Sequence, residues 1–365
     1  MQHPDHGALT AVDYGWSQHF DDAKALADAS NPLILKDTVA ARVMAVHRDA
    51  LDVAGPEFSG RIHQSPLQPS SNPDEENRPT TGDWLALDRT THKIMFIYPR
   101  ISLFKRRSAG TTARIQLIAA NVDTVLFVTS ANQDFNVARL ERYLALAQEA
   151  SVKPIIVITK SDLVDDIASY IEPACAIRRD LTVVTVDARD SNVLKRLDPW
   201  LGRGKTIALM GSSGVGKSTI VNSLLGSAIQ DTQGVRDSDA RGRHTTSGRS
   251  MHRLQSGAWL MDTPGMRELQ IVDATSGIDA VFDDIAAIAQ QCRFSDCRHT
   301  NEPGCAIRVA IESGNLDPTR LQRFLKLRDE ERQNSAHAHA SHSQRRSAGK
   351  LSRRVFSNKL KPADD

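Results

Sequence analysis

Gly211-Ser-Ser-Gly-Val-Gly-Lys-Ser218 follows the pattern G-x-x-x-x-G-K-[ST]. A short apolar run (206–210) precedes it, and apolar side chains at helical spacing follow it. A strand, a glycine-rich turn and a helix in this order let backbone N–H groups surround phosphate oxygens at a helix N-terminus. The stretch therefore predicts a phosphate-binding loop, and we expect the chain to bind a nucleotide.

The positions of this phosphate loop (residues 211–218) have distinct expected roles. Lys217 is expected to reach the β- and γ-phosphates, and the Ser218 hydroxyl to bind Mg²⁺. The other predicted nucleotide contacts are Gly211, Ser212, Ser213, Gly214, Val215, Gly216 and Thr219. A glycine-rich turn that matches by chance is the alternative, and the flanking strand and helix patterns disfavour it.

Composition limits the class of protein. A chain of 365 residues, 40% hydrophobic and 25% charged, is typical of a globular protein with about two or three domains. A net charge of +2 is too small to indicate a nucleic-acid partner by itself. No apolar run approaches the roughly 18 residues of a membrane span, and the acidic N-terminal region lacks a signal-peptide pattern. We expect a cytoplasmic, monomeric protein with no membrane association.

The chain changes character along its length. Several short alternating runs between 33 and 108 predict a small β-barrel, with the five-stranded OB type favoured. From Asn121 onward, apolar strands alternate with helical patterns, which predicts a mostly parallel sheet covered on both faces.

Aromatic and basic residues of the barrel segment have two possible interpretations. They form either an RNA-binding face or, for the aromatic residues, the barrel core. The residues concerned are Trp84, Phe96, Tyr98, Phe104 and Lys105-Arg-Arg107.

Asp262-Thr-Pro-Gly265 lies at the end of a predicted strand downstream of the phosphate loop. An Asp in this position holds Mg²⁺, directly or through water, and the Gly265 N–H contacts the γ-phosphate. An ordinary turn has the same sequence, so the position after a phosphate loop is what favours this role.

Thr159-Lys-Ser-Asp162 closes another apolar strand and is similar to the N-K-x-D element by which GTPases recognise guanine. The Asp162 carboxylate is expected to accept two hydrogen bonds from the base, and the Lys160 stem to pack on its face. Adenine would leave that carboxylate unpaired. Thr159 replaces the usual Asn, which we expect to weaken base affinity without removing discrimination. A surface turn is the alternative for this stretch, Ser161 included.

The order of these elements is reversed relative to ordinary GTPases, because Asp162 precedes Gly211 in the chain. Circular permutation explains this order, since it keeps the sheet and moves the chain ends to a surface connection. The switch after Gly265 then leads directly into the C-terminal segment.

This order and its flanks resemble the family of bacterial ribosome small-subunit-dependent GTPase A (RsgA). The matching stretches are Gly82-Asp-Trp84, 120–123, 159–162, 211–219, 242–246, 262–268 and the cysteine cluster. The resemblance implies a circularly permuted GTPase that binds the 30S ribosomal subunit and 16S rRNA. It further implies that the protein assists late 30S maturation and hydrolyses GTP to GDP in a 30S-stimulated manner.

The predicted switch precedes Asp262. Thr245 or Thr246 is expected to complete Mg²⁺ coordination, and the sequence leaves the choice open. Met266 stands where many GTPases carry a water-orienting Gln. By resemblance to the family, His244 is our candidate for this role, because a neutral imidazole positions water or accepts a proton. A solvated loop residue is the alternative.

Three of the four cysteines cluster with a histidine. Cys292, Cys297, His299 and Cys305 suit one closed, tetrahedral, structural Zn²⁺ ion. Cys175 lies apart, and we expect it to be a buried small hydrophobic residue.

The sequence as a whole predicts a multidomain α/β protein. We expect an N-terminal extension (1–34), an OB-fold RNA-binding barrel (35–110), a circularly permuted P-loop GTPase domain (111–275), a helical zinc-binding module (276–332) and a basic disordered tail (333–365). The tail either adds RNA affinity through counterion release or only keeps the protein soluble. Two rival functions are a P-loop ATPase or kinase, and a non-catalytic RNA-binding adaptor with structural nucleotide.

Overall fold

The computed structural model describes residues 9–63, 78–107, 115–187, 193–226, 249–262 and 274–335. The chain divides into two compact units, Met1–Lys105 with Leu117–Leu269, and Arg106–Gln116 with Gln270–Asp365. The finer boundaries drawn from the sequence remain predictions. None of the described helices is long and apolar enough to cross a membrane.

The N-terminal part of the first unit consists of a helix followed by five antiparallel strands. The elements are α1 (Gln18–Ser30), β1 (Thr38–Val46), β2 (Ala50–Ala54), β3 (Ser59–His63), β4 (Trp84–Asp88) and β5 (Ile94–Ile97). Neighbouring strands pair in the order β3-β2-β1-β4-β5. Alternate residues of the strands point inward and form one apolar cluster that includes Val39, Val43, Leu51 and Leu85. The described strands show no β3–β5 pairing, so the OB assignment stays a prediction.

The α/β part follows after a two-stranded sheet, β6 (Leu103–Arg107) with β7 (Ile115–Ala120). Its elements are β8 (Thr124–Ser130), α2 (Val137–Glu149), β9 (Lys153–Thr159), α3 (Ala168–Cys175), β10 (Thr182–Thr185), α4 (Val193–Leu197), β11 (Thr206–Met210), α5 (Lys217–Leu225), β12 (Arg249–Arg253) and β13 (Trp259–Asp262). Strands β10-β9-β8-β11-β13 are parallel neighbours in this order. Residues of β8 are buried throughout, as expected for a parallel strand covered on both faces.

The antiparallel strand β12 joins this sheet to the N-terminal strands. It pairs with β13 on one side and with β1 on the other, through Ala45 opposite Ser250 and Val46 opposite Arg249. One continuous sheet therefore runs from β10 through the α/β part into β3.

Apart from the ends of β6 and β7, the described part of the second unit is helical. Its helices there are α6 (Thr275–Val281), α7 (Asp283–Ala289), α8 (Ala306–Glu312) and α9, a helix over 318–335. Phe282 between α6 and α7 is fully buried and packs against Phe324, with ring centroids 5.4 Å apart. Arg320 lies over the same ring and pairs with Asp284. The described part of this unit has a small apolar core.

Three aromatic residues considered for an RNA-binding face belong to the core. Trp84, Tyr98 and Phe104 are at most 2% exposed, and Trp84 meets Trp16 edge-on at 4.8 Å. Buried rings cannot stack on RNA bases, so the core interpretation is the correct one for these three. The prediction for Cys175 is wrong, since its side chain is exposed while Ala174 takes the buried position of α3.

The N-terminal extension packs tightly against the α/β part. The Asp13 carboxylate, 2% exposed, pairs with Arg203, and this ion pair together with hydrogen bonds from Thr10 lowers the pKa of Asp13. Its carbonyl oxygen accepts a hydrogen bond from Trp259 Nε1 at 2.7 Å, and Tyr14 stacks on the Trp259 ring. The extension is therefore an integral part of the first unit.

Arg42 is a fully buried cation that joins three segments of the first unit. Its guanidinium donates to the carbonyl oxygens of Tyr14 (2.6 Å), Gly82 (3.2 Å) and Asn121 (3.0 Å). Burial lowers the pKa of Arg42 to about 10, so the side chain is still charged at neutral pH. One side chain therefore holds the N-terminal extension, the antiparallel strands and the α/β part together.

Replacing Arg42 with Met should destabilise the protein by about 3 kcal/mol or more, because three carbonyl groups lose their charged donor. Urea unfolding followed by tryptophan fluorescence measures this loss. Arg61→Met is the matched control, since that exposed guanidinium pairs with Asp52 at the surface, where water screens the ion pair, and its loss should change the stability little. Equal losses in the two variants would contradict the role given to Arg42.

Candidate nucleotide-binding site

The phosphate loop connects the end of β11 to the start of α5, as the sequence predicts. Gly211 lies so close to β8 that a Cβ atom would come within 2.2 Å of the Val128 carbonyl oxygen. Gly216 caps α5 at a φ of 93°, in the left-handed region that favours glycine. Both glycines are therefore required by the backbone path.

Lys217 is the first residue of α5, and its side chain folds back over the loop. Its Nζ donates a hydrogen bond to the Ser212 carbonyl oxygen, and the residue is only 8% exposed. Ser218 and Thr219 follow in the same helical turn and are half-buried. The N-terminus of α5 thus carries backbone N–H groups with no partner inside the helix, the Lys217 ammonium group and two hydroxyl-bearing residues, a combination suited to phosphate oxygens.

The predicted guanine-recognition loop (159–162) follows directly on β9. Lys160 adopts a left-handed conformation with a φ of 57°, and Ser161–Leu163 form a single 3-10 turn. Asp162 is exposed. The carboxylate is therefore accessible to a base.

Thr159 ties the guanine-recognition loop to the phosphate loop. Its hydroxyl, fully buried, donates to the Val215 carbonyl oxygen at 2.6 Å and lies 3.1 Å from the Thr129 carbonyl oxygen. The residue that departs from the usual Asn thus makes a structural contact between the two loops, which the sequence alone did not indicate.

Asp262 is the last residue of β13, which pairs in parallel with β11. It is half-buried, and its place at the strand end puts it at the same edge of the sheet as the phosphate loop. Gly265, His244, Thr245 and Thr246 lie outside the described residues.

The four predicted metal ligands of the second unit converge. The ligand atoms of Cys292, Cys297, His299 and Cys305 all lie within 4.8 Å of one another. His299 Nδ1 is 3.7 Å from Cys292 Sγ and 3.6 Å from Cys305 Sγ. Tetrahedral Zn²⁺ with ordinary bond lengths separates a nitrogen and a sulfur ligand by about 3.6 Å, so this donor set fits zinc.

The electrostatics of the cluster also favour a cation. Burial together with the neighbouring cysteines raises the pKa of Cys297 to about 11. Burial lowers the pKa of His299, which keeps the imidazole neutral and able to coordinate. Burial acts to raise the pKa of Cys292, but hydrogen bonds from the backbone of Ala306 and Ile307, at the start of α8, and from Cys297 and Cys305 together lower it. A divalent cation would remove the repulsion among several thiolates.

Glu302 organises the loop between the last metal ligands. Its carboxylate accepts hydrogen bonds from the backbone N–H groups of Arg298, Thr300 and Asn301. Backbone hydrogen bonds lower the pKa of Glu302 to about 2. An ionised Glu302 thus shapes the chain around His299.

Comparison with known proteins places this geometry in a family. Residues 97–272 match the RsgA GTPase family. The small ribosomal subunit biogenesis GTPase RsgA 2 of Vibrio parahaemolyticus is 43% identical over 347 residues, which cover 95% of this chain and 93% of that protein. The chain belongs to the RsgA GTPase family. The small ribosomal subunit biogenesis GTPase RsgA of Mesorhizobium japonicum is 44% identical over 327 residues, covering 89% of this chain and 90% of its own length.

Two solved structures show the same fold as this RsgA family member. YjeQ from Thermotoga maritima has a TM-score of 0.56 and 23% identity, covering 80% of this chain and 97% of that one. YloQ, described as a circularly permuted GTPase, has a TM-score of 0.56 and 23% identity, with 82% and 96% covered. The circularly permuted GTPase fold predicted from the order of the motifs is confirmed.

RsgA family membership also confirms the predicted enzyme class, a GTPase that binds guanine nucleotide. The structure brings the phosphate loop, Thr159 and Asp262 to one edge of the sheet, and it brings the four zinc-ligand candidates together. The chemical roles assigned to these residues stay predictions.

One charged residue near the phosphate loop was not predicted from the sequence. Arg139, in the first turn of α2, donates from Nη1 to the Ser212 hydroxyl at 2.7 Å. Asn136 caps the same helix by accepting from the Arg139 backbone N–H. A basic residue in the first turn of a helix is unfavourable because it lies at the positive end of the helix dipole. This unfavourable placement was the sequence feature that could have indicated a special role for Arg139.

Replacing Thr159 with Val should weaken binding of GDP and of GTP alike by about tenfold, because the buried Val215 carbonyl loses its donor and the phosphate loop loosens. Titration with fluorescent nucleotides measures both affinities. Thr182→Val, on the neighbouring strand β10, is the control and should leave both unchanged. A change in base preference without a change in affinity would contradict the structural role.

Proposed function

We propose that this protein is a GTPase that binds the 30S ribosomal subunit late in its maturation and hydrolyses GTP to GDP and phosphate, with 30S-stimulated hydrolysis timing its release. Family membership carries the proposal, because its relatives are named as small ribosomal subunit biogenesis GTPases. The joined phosphate and guanine-recognition loops supply a site suited to that substrate. The protein acts in the cytoplasm as a monomer, without a membrane.

Catalysis in such a site consists of positioning and charge stabilisation. The amides of the phosphate loop and Lys217 bind the β- and γ-phosphates and neutralise charge that develops on the γ-phosphoryl group. Asp162 accepts hydrogen bonds from guanine, and Lys160 packs on the base. Ser218 and Asp262 would hold Mg²⁺ together with Thr245 or Thr246, and Gly265 would contact the γ-phosphate. The bound Mg²⁺ supplies further charge neutralisation.

Water attack requires an orienting group, and Met266 cannot supply one by hydrogen bonding. We assign this role to His244, which precedes the threonines of the switch. A water-orienting role for His244 would couple hydrolysis to a partner that contacts the predicted switch, and 30S-stimulated hydrolysis is the expected form of that coupling.

Contact with 16S rRNA is assigned to the barrel, the zinc module and the basic tail. The Zn²⁺ ion, held by Cys292, Cys297, His299 and Cys305, has a structural role, because a small helical unit gains folding free energy from metal binding. Its four protein ligands leave no open position for catalysis.

An ATPase or kinase, and an adaptor with structural nucleotide, are disfavoured by family membership. One assay separates all three: multiple-turnover phosphate release from GTP and from ATP, with and without purified 30S subunits. GTP-selective turnover that rises with 30S supports the proposal. ATP preference would refute guanine recognition, absent turnover would leave the adaptor, and turnover insensitive to 30S would refute the ribosomal role.

The Asp162→Asn variant should lose GTP selectivity by about 100-fold, because the amide cannot accept both hydrogen bonds from guanine. The ratio of turnover with GTP to turnover with ATP measures it. Asp165→Asn, an exposed carboxylate shortly after the same loop, is the control and should keep the wild-type ratio. Unchanged selectivity in Asp162→Asn would place base recognition elsewhere.

The Cys305→Ser variant should lose its zinc and lower the thermal stability of the second unit, because a closed site with three protein ligands binds Zn²⁺ much more weakly. Metal analysis of the purified protein and limited proteolysis of 274–335 measure the effect. Cys175→Ser, the exposed cysteine of α3, is the control and should retain one zinc per chain. Full zinc content in Cys305→Ser would exclude that thiolate as a ligand.

A further inference from the structure

Arg139 reaches the phosphate loop because of the register between two parallel strands. Met210, the last residue of β11, pairs with Phe127 of β8, so both strands end at the same edge of the sheet. From that edge β11 continues into the phosphate loop and β8 leads into α2. The first turn of α2 therefore lies beside the loop, and the side chain of Arg139 spans the gap to Ser212.

The guanidinium of Arg139 is poorly compensated within the described part of the chain. Nη1 also approaches the Asp134 carbonyl oxygen at 3.4 Å, while no described carboxylate pairs with the group and Nε and Nη2 have no acceptor there. The helix dipole adds positive potential at this position. The Arg139 guanidinium therefore lies beside a phosphate-binding loop, in the positive potential of a helix N-terminus, without a described carboxylate to balance its charge. An anion bound at the loop would supply that balance.

Ser212 connects this cation to the substrate. Its hydroxyl oxygen accepts from Arg139, which leaves the hydroxyl hydrogen free to donate elsewhere, and its carbonyl oxygen accepts from Lys217. Because Lys217 is the residue expected at the β- and γ-phosphates, we expect Ser212 beside the same phosphates, and the diphosphate lacks the γ-phosphate.

We propose that Arg139 is a positioning residue which, by holding the Ser212 hydroxyl, sets the preference of this site for the nucleoside triphosphate over the diphosphate. The inference rests on the proposed function, since it concerns the same nucleotide site. Arg139 belongs to none of the sequence motifs by which the site was predicted. It adds a positive charge from the same chain near the expected position of the γ-phosphate.

The proposal predicts a selective effect. Arg139→Met and Ser212→Ala should each weaken binding of a non-hydrolysable GTP analogue about tenfold and change GDP affinity by less than about twofold. Because Arg139 acts through Ser212, the double variant should be no weaker than either single variant. Arg179→Met, an exposed arginine of the same unit, is the matched control and should bind both nucleotides normally.

Full-length protein is titrated with GDP and with the GTP analogue, and phosphate release with and without 30S is measured on the same preparations. Equal losses for the two nucleotides, no loss, or additive effects in the double variant would each overturn the role of Arg139. The binding ratio does not depend on turnover. A wild-type protein without 30S-stimulated hydrolysis would therefore refute the proposed function and still leave the role of Arg139 decided by the titrations.

Discussion

The parallel register of β9, β8, β11 and β13 is the constraint on which the nucleotide site depends. Ser130 lies opposite Thr159, and Ala208 lies opposite Met261, so the carboxyl ends of these strands meet at one edge. Loops that are far apart in the chain become neighbours there. A slip of β9 by one residue relative to β8 would move the Thr159 side chain to the other face of the sheet and separate its hydroxyl from the phosphate loop. Circular permutation is tolerated because it changes the connections and leaves this register intact.

Local patterns were sufficient for much of the fold and of the site. The phosphate loop was predictable because its glycines, Lys217 and the flanking strand and helix are consecutive in the chain. The convergence of the three cysteines with His299 was predictable because these residues are close in sequence and of types with few other reasons to cluster. The permuted order was readable directly, since Asp162 precedes Gly211. The phosphate loop and the cysteine cluster each depend on residues that are close in the chain, so their patterns can be recognised without knowledge of the fold.

Contacts between distant residues were not predictable. An aromatic side chain such as Trp84 has the same sequence pattern whether it packs inside a barrel or faces RNA, and only its burial decides. The Thr159 hydroxyl meets Val215 across 56 residues of chain, and Arg139 meets Ser212 across 73. The exposure of Cys175 depends on which face of a short helix packs, which a single cysteine does not reveal. Where tertiary partners determine a residue's role, a single sequence gives only alternatives.

The contacts that fix the N-terminal extension affect how the chain folds during synthesis. They join Asp13 to Arg203 and to Trp259. The Asp13 carbonyl and Trp259 are 246 residues apart, and Arg203 is 190 residues beyond Asp13. The N-terminal extension leaves the translating ribosome before its partners, which emerge only after most of the first unit has been made. Long-range closure of this kind slows folding and leaves apolar surface uncovered meanwhile. The nascent chain must therefore keep the Tyr14 ring without its stacking partner Trp259 through most of its own synthesis.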